Sequence, residues 1–350
     1  MKPTRPHLPP LAIALALTAL LCALAVPSAI GSSSKVSGVK ASSAKTSSSK
    51  TPVAHAASSF LTGLGNETPQ MFKNQLFDQL HTKIVRYIAP YDAVAHVASL
   101  NKAIAFIQAA EIQHEQVLVA FYHSEYTPLK LPSVAQYQHD VQKFVKDFPH
   151  VKQYQAWDEA NRGYIAHTLA SPSAVTDAQY YQALIRVCKG CNVIGLDVLD
   201  AANIGPTLEY ISEFKREIGH LRTIMPSIWG LHNYSDINRL ESWRTSDLVR
   251  ALGGQVWLTE TGGLVQFGGA YPNRNGSGLT RAAKVLKYMF AVAAEHAKIK
   301  RLYIYDWTGG TSSTRFDAGL MNAREQPRAG YLVVCKALHA AKCNAKVAKN

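Results

Sequence analysis

Cysteine is scarce in this chain, at five of 350 residues, and short active-site signatures are scarcer. No strand-to-helix turn carries a Gly-x-Gly-x-x-Gly phosphate cradle, which weakens an open, doubly wound dinucleotide sheet. No Gly-x-Ser-x-Gly elbow is present, so serine-hydrolase chemistry lacks its nucleophile. His114-Glu115 does not continue into a His-Glu-x-x-His zinc pattern. The chain also has no dense Lys/Arg cluster interleaved with aromatics, so nucleic acid is not indicated as a partner.

Acidic residues are missing altogether from residues 1–57, which hold Lys2, Arg5, Lys35, Lys40, Lys45 and Lys50. The formal net charge of +13 is therefore uneven: the remaining chain has 31 basic and 24 acidic residues, only +7. Lys2, Arg5 and His7 precede an apolar run from Leu11 to Val26, shorter than the ~20 residues of a spanning helix. Ala23, Ala25 and Ala29 follow, and residues 1–30 read as a secretory signal peptide. An uncleaved membrane anchor is the alternative. Residues 31–57 are rich in Ser, Ala and Lys, with too little apolar surface to fold, and read as a disordered linker. Its charge allows a weak tether to the cell envelope. Export is thus expected, with a secreted or envelope-associated location.

Without Cys22, four cysteines remain: Cys188, Cys191, Cys335 and Cys343. An even number in an exported chain suggests two disulfides. The local pairs Cys188–Cys191 and Cys335–Cys343 are favoured among three connectivities. A zinc site using the same residues and His339 is the alternative.

Hydrophobic residues make up 47% of the chain, ample for one large core. Beyond Ser58, short apolar runs alternate with amphipathic helical stretches. The strand candidates are Ser59–Leu64, Lys83–Ile88, Gln116–Phe121, Lys152–Trp157, Asn192–Leu196, Ser227–Leu231, Gln255–Thr259 and Arg301–Tyr305. Helical patterns such as Ser133–Phe148, Thr176–Cys188, Thr207–Leu221, Asn238–Leu252 and Leu279–Lys298 lie between them. Eight such units over residues 58–350 predict an α/β fold, a single-domain (β/α)8 TIM barrel. Runs that are apolar throughout suit a parallel sheet buried on both faces.

A barrel places its chemistry at the C-terminal ends of its strands. Polar residues follow all eight: Asn66 and Glu67, Asp92, His123 with Ser124 and Glu125, Asp158 with Glu159 and Asn161, Asp197, His232 with Asn233, Glu260, and Asp306. Glu159 and Glu260 each stand shortly after a tryptophan, Trp157 and Trp257. Two carboxylates at two strand mouths are what glycoside hydrolysis needs. One protonates the leaving oxygen, and the other attacks the sugar carbon or activates water.

These motifs resemble the retaining glycoside hydrolases built on (β/α)8 barrels, clan GH-A. That clan ends strand 4 with an acid/base glutamate, usually as Asn-Glu-Pro, and Trp157-Asp158-Glu159-Ala160-Asn161 is similar. Its nucleophile ends strand 7, often as Thr-Glu-x-Gly, and Thr259-Glu260-Thr261-Gly262 matches. Arg86 matches its strand 2 arginine, His232-Asn233-Tyr234 its strand 6 His-x-Tyr, and Trp307 its aromatic at the end of strand 8. The resemblance implies Glu159 as acid/base and Glu260 as nucleophile. Arg86, Asp158, His232, Tyr234 and Trp307 would bind substrate, Arg86 and Tyr234 also holding Glu260 ionised.

The departure is Asp158, where the clan has Asn. An ionised carboxylate only accepts hydrogen bonds, and its charge would raise the proton affinity of Glu159. Trp307, Tyr91, Tyr126 and Phe267 are candidates for stacking on a sugar ring. The segment from Val265 to Thr280 would shape the cleft as a flap or a long connection. The expected activity is hydrolysis of a β-linked poly- or oligosaccharide by a monomer, with no metal or organic cofactor required. A barrel that binds glycan without cutting it is the alternative, with Asp158 marking the loss.

Overall fold

The computed structural model describes residues 60–163, 170–311, 313–338, 343 and 345–347. The expected signal peptide and linker lie outside the described residues. Among those described, no helix is long and apolar enough to cross a membrane.

Among the described residues, nine parallel strands form one sheet. They are β1 (Leu61–Gly65), β2 (Ile84–Pro90), β3 (Gln116–Tyr122), β4 (Gln153–Gln155), β5 (Asn192–Ile194), β6 (Asp197–Leu199), β7 (Ile228–His232), β8 (Gln255–Thr261) and β10 (Ile299–Tyr305). Their order is β5-β4-β3-β2-β1-β10-β8-β7-β6. The two edges, β5 and β6, are consecutive in the chain, so the sheet closes into a barrel of eight staves. Stave five is broken. The Gly195 N–H bonds the Ile228 carbonyl, and the Gly230 N–H bonds the Leu196 carbonyl, which bridges the gap between its halves. The expected strand Asn192–Leu196 is thus a shorter one, and Asp197 begins the second half instead of ending the first.

All seven residues of β2 are buried, as are six of seven in β3 and β8, the pattern of strands covered on both faces. The inward side chains near the N-terminal end form a closed apolar layer of Ile84, Leu118, Ile194, Ile228, Trp257 and Tyr303, from six different strands. Arg301 lies 3.9 Å over the Trp257 ring and donates to Gln153 Oε1, capping that layer from below.

The helices are α1 (Gln75–Asp78), α2 (Val97–Ile112), α3 (Val134–Asp147), α4 (Ala174–Val187), α5 (Gly205–His220), α6 (Tyr234–Arg239), α7 (Trp243–Leu252), α8 (Ser277–Glu295) and α9 (Ala329–Ala337). Ser133 and Ser173 cap α3 and α4 by accepting from the N–H three residues on. The expected helix Asn238–Leu252 is divided into α6 and α7, because Leu240 adopts a left-handed conformation between them. The loop after β8 is tied down: β9 (Gln266–Phe267) pairs antiparallel with β11 (Phe316–Asp317). Cys188–Cys191 and Cys335–Cys343 are bonded, with Cα atoms 5.6 and 5.8 Å apart. The zinc alternative therefore has no free thiolates.

The apolar layer should carry much of the stability. Leu118→Ala is expected to cost about 2–5 kcal/mol by equilibrium urea unfolding. A loss under about 1 kcal/mol would mean that the barrel interior is not packed as described.

Candidate active site

The upper half of the barrel holds charge where the lower half holds hydrocarbon. Arg86 reaches up from β2 and is almost fully buried. Its Nη1 donates to Glu260 Oε2 at 3.1 Å, and its Nη2 pairs with Asp158 Oδ1. One guanidinium thus spans the ends of staves four and seven. Tyr234, in the first turn of α6, donates its hydroxyl to the other Glu260 oxygen at 3.0 Å. Asp200 sets that turn by accepting from the Ser235 and Asp236 N–H groups. Asn238 then ties it to the loop after β8 through Gly262 and Leu264.

His232 ends β7 with no solvent exposure. Its Nδ1 lies 3.1 Å from Glu159 Oε1, and its Nε2 lies 2.9 Å from Asp197 Oδ2. Asp197 accepts from the Thr259 hydroxyl and from the Glu159 N–H. Gly230 makes room for this carboxylate, since a Cβ there would stand 2.0 Å from Asp197 Oδ1. Glu159 itself has φ +44°, a left-handed conformation rare for a residue with a side chain and worth ~1–3 kcal/mol of strain. Its Oε2 accepts from Arg162 Nη1 at 2.6 Å.

His232 Nδ1 also lies 3.8 Å from Glu260 Oε2. The Glu159 and Glu260 oxygens therefore lie no farther apart than the two His232 distances combined. That limit on the nearest pair of oxygens admits the retaining spacing of ~5–5.5 Å between the carboxyl groups.

The neighbours Asp158 and Glu159 have opposite proton affinities. Burial pushes Asp158 up to about 7, against the pull of Arg86 and His232. Burial acts the same way on Glu159, but Arg162 and the His232 hydrogen bond outweigh it and hold the group near 2. The expected rise in the proton affinity of Glu159 is thus reversed, because Arg162 neutralises it more closely than any acid opposes it. Burial disfavours the imidazolium of His232, yet Asp197 and Glu260 raise it well above its ordinary range. The proton between His232 and Glu159 rests on the ring.

Of the residues expected to touch substrate, Arg86, Asp158 and His232 are sealed beneath the mouth and face one another or the two glutamates. Their placement is that of positioning groups. Trp307 departs from its expected role. It is fully buried against Phe77 and Tyr331 and donates its Nε1 to Glu325. β10 ends at Tyr305, and that ring faces the mouth, donating its hydroxyl to Glu67 Oε2 at 3.2 Å. Tyr91 packs on Trp157, and Phe267 packs on Phe316. Both are buried, and only Tyr126 among the stacking candidates is exposed.

A cavity of about 320 Å³ opens between the ends of the first three staves and the last, lined by Glu67, Pro90, Tyr122, His123, Glu125 and Tyr305 among others. Burial, then the charge of Glu260, pushes Glu67 up to about 7. Arg162, Tyr305 and Tyr122, whose hydroxyl accepts from Arg162, were not among the expected site residues. Arg162 had one sequence signal, its position three residues after Glu159 in a helical turn. Asp158, Asp197 and His232 bring three ligand-type atoms within 4.8 Å. Arg86, Thr259 and the Glu159 N–H already engage the two carboxylates, which suits internal ion pairing better than a metal ion.

No protein-family model matches the sequence, and no curated protein matches it. Solved structures do match in shape. Xylanase XynB from Paenibacillus barcinonensis, complexed with a conduramine derivative, is 11% identical at a TM-score of 0.61, over 79% of this chain and 95% of that one. GH5_18 from Streptomyces cattleya in complex with GlcNAc is 12% identical at 0.59, over 84% and 83%. A family 39 glycoside hydrolase from Bacteroides cellulosilyticus is 13% identical at 0.54, covering 79% of this chain, which spans 63% of that protein. The fold is the (β/α)8 barrel that these glycoside hydrolases share. At such identities the barrel alone is shared, and the chemistry must be argued from the site.

Asp158 gives the site a pH signature. Its proton is bound more tightly in the folded chain than in the unfolded one. The folded state therefore carries the extra proton between the ordinary carboxylate range and about 7, and stability falls as pH rises through that window. Urea unfolding at pH 4.5, 6.0 and 7.5 should show Asp158→Asn losing less stability than wild type, by on the order of 2 kcal/mol. Parallel profiles would mean that Asp158 ionises normally.

Proposed function

We propose that the protein is an exported glycosidase that hydrolyses O-glycosidic bonds of a β-linked poly- or oligosaccharide with retention. The observation that supports this most is that one nitrogen of the His232 ring lies near both Glu159 and Glu260, which keeps the two carboxylates close together.

In the first step Glu260 attacks the anomeric carbon, and the bond to the leaving oxygen breaks. Arg86 and Tyr234 aim Glu260 and give up no proton. The leaving oxygen takes a proton from Glu159, which draws it from His232 Nδ1 over 3.1 Å. His232 is left neutral beside Asp197. In the second step water attacks the same carbon, its proton passes to Glu159 and back to His232, and the ester to Glu260 breaks. Retention follows from two displacements. Asp158 is sealed beneath the mouth, and while ionised it can only accept hydrogen bonds from its neighbours. Its high proton affinity restores an O–H donor near neutrality, which offers a reason for tolerating Asp in place of Asn.

One observation favours the alternative, a barrel that binds glycan without cutting it. Arg162 holds Glu159 as a carboxylate, and a permanently ionised Glu159 could not act as an acid. Reducing-sugar release from β-glucans, xylans, mannans and galactans separates the two. Wild type should release sugar from one class, and Glu260→Gln should lower turnover by at least about 10³-fold while still binding it. Binding without release in both proteins would establish the binding barrel. In the enzyme, Arg162→Met should move the basic limb of the pH–rate profile upward by about one unit, because removing the cation beside Glu159 makes the Glu159–His232 pair hold its proton more tightly. An unmoved limb would show that Glu159 is not the group titrating there.

A further inference from the structure

Tyr126 lies four residues past the end of β3, on the mouth side of the barrel, and is about half exposed. Its ring is stacked on the imidazole of His96, with centroids 3.8 Å apart and planes 21° from parallel. His96 lies past the end of β2, and Asp92 fixes its ring at 3.2 Å. The backbone beneath the tyrosine is held too. Buried Ser124 Oγ accepts from the N–H groups of Tyr126 and Thr127. One face of the phenol is therefore covered, its position is set from both sides, and its other face has no aromatic neighbour among the described residues.

The adjacent residue connects this shelf to the cavity beside the two glutamates. Glu125 accepts from Ser99 Oγ at 2.7 Å and Lys102 Nζ at 2.8 Å. Glu125 and Lys102 both line the 320 Å³ cavity that runs to Glu67, Tyr122 and Tyr305. That volume is at the small end of ligand pockets, and the shelf stands just outside it. A flat apolar face, a carboxylate and an ammonium together suit one chemistry. The ring covers the C–H face of a pyranose while the charged pair takes its hydroxyls.

We propose that Tyr126 on His96 is a distal sugar subsite, so that the cleft selects glycan chains longer than its cavity can hold. The inference rests on the glycosidase reading for its substrate but not for its test. On a ladder of two to seven sugars from the hydrolysed polymer, Tyr126→Ala should lower kcat/KM about 3- to 12-fold on the longer chains, the size of one ring contact. The loss should lie in KM, with the shortest cleaved chain unaffected, and Tyr126→Phe should restore wild-type behaviour. An equal loss at every length, or none at any, would overturn the proposal. If wild type cleaves nothing, the glycosidase reading fails while the subsite is still tested by affinity electrophoresis in the same polysaccharides. There Tyr126→Ala should migrate faster than wild type in the retarding glycan. Equal migration, or no retardation by any glycan, would sink the subsite as well.

Discussion

The guanidinium of Arg86 is the contact on which the site depends. It lies in the barrel interior with one nitrogen on Asp158 and the other on Glu260. Neither carboxylate has another full charge as close. A buried ion gains only if its partners are well placed, because the cost of leaving water is otherwise larger than the attraction. The barrel meets that condition by drawing Arg86, Asp158, His232 and Glu260 from four separate staves. Removing the arginine would leave two buried carboxylates facing each other. The same reasoning extends outward to His232 and Arg162, which serve Asp197 and Glu159.

That arrangement also decides where protons reside. Asp158 and Glu159 are consecutive and equally sealed, yet one is pushed to about 7 and the other to about 2. Burial acts on both alike, so the difference lies in their partners. Asp158 shares its cation with Glu260, whereas Glu159 has Arg162 to itself and an imidazolium beside it. A change of Asn to Asp at this position therefore adds a group that can stay protonated near neutrality. The ring of His232 becomes the proton store, held between Glu159 on one nitrogen and Asp197 on the other.

The barrel was legible in the chain because its staves are apolar runs that end abruptly at polar residues, and Glu260, Arg86 and Tyr234 meet where their strand positions imply. What failed to show were features set by bends. The break at Gly195 and Leu196 carries Asp197 inward, and no periodicity signals it. The family resemblance puts Trp307 at the mouth as the aromatic that ends strand 8. It lies beyond the last paired residue, where the strand's alternation no longer governs direction, and Tyr305 takes the inward position instead. Arg162 is hard to find in the sequence because a basic residue just past a strand end is ordinarily solvated.

The two halves of the barrel divide the work by side-chain size and charge. Below, six large apolar residues from six strands fill the interior without a polar atom left over except on Trp257 and Tyr303, and Arg301 meets Tyr303 there. Above, Gly230 stands where its neighbours carry bulk, and the space it leaves is filled by a carboxylate. An alanine at that position would press on Asp197, and through Asp197 on His232, Thr259 and the backbone of Glu159. The charged half contributes little net stability, since each ion there is offset by the cost of burying it. It persists because the hydrocarbon half holds the staves in register. A strained Glu159, two carboxyls near neutrality and a buried imidazolium can be tolerated only over a layer that is packed as tightly as a crystal.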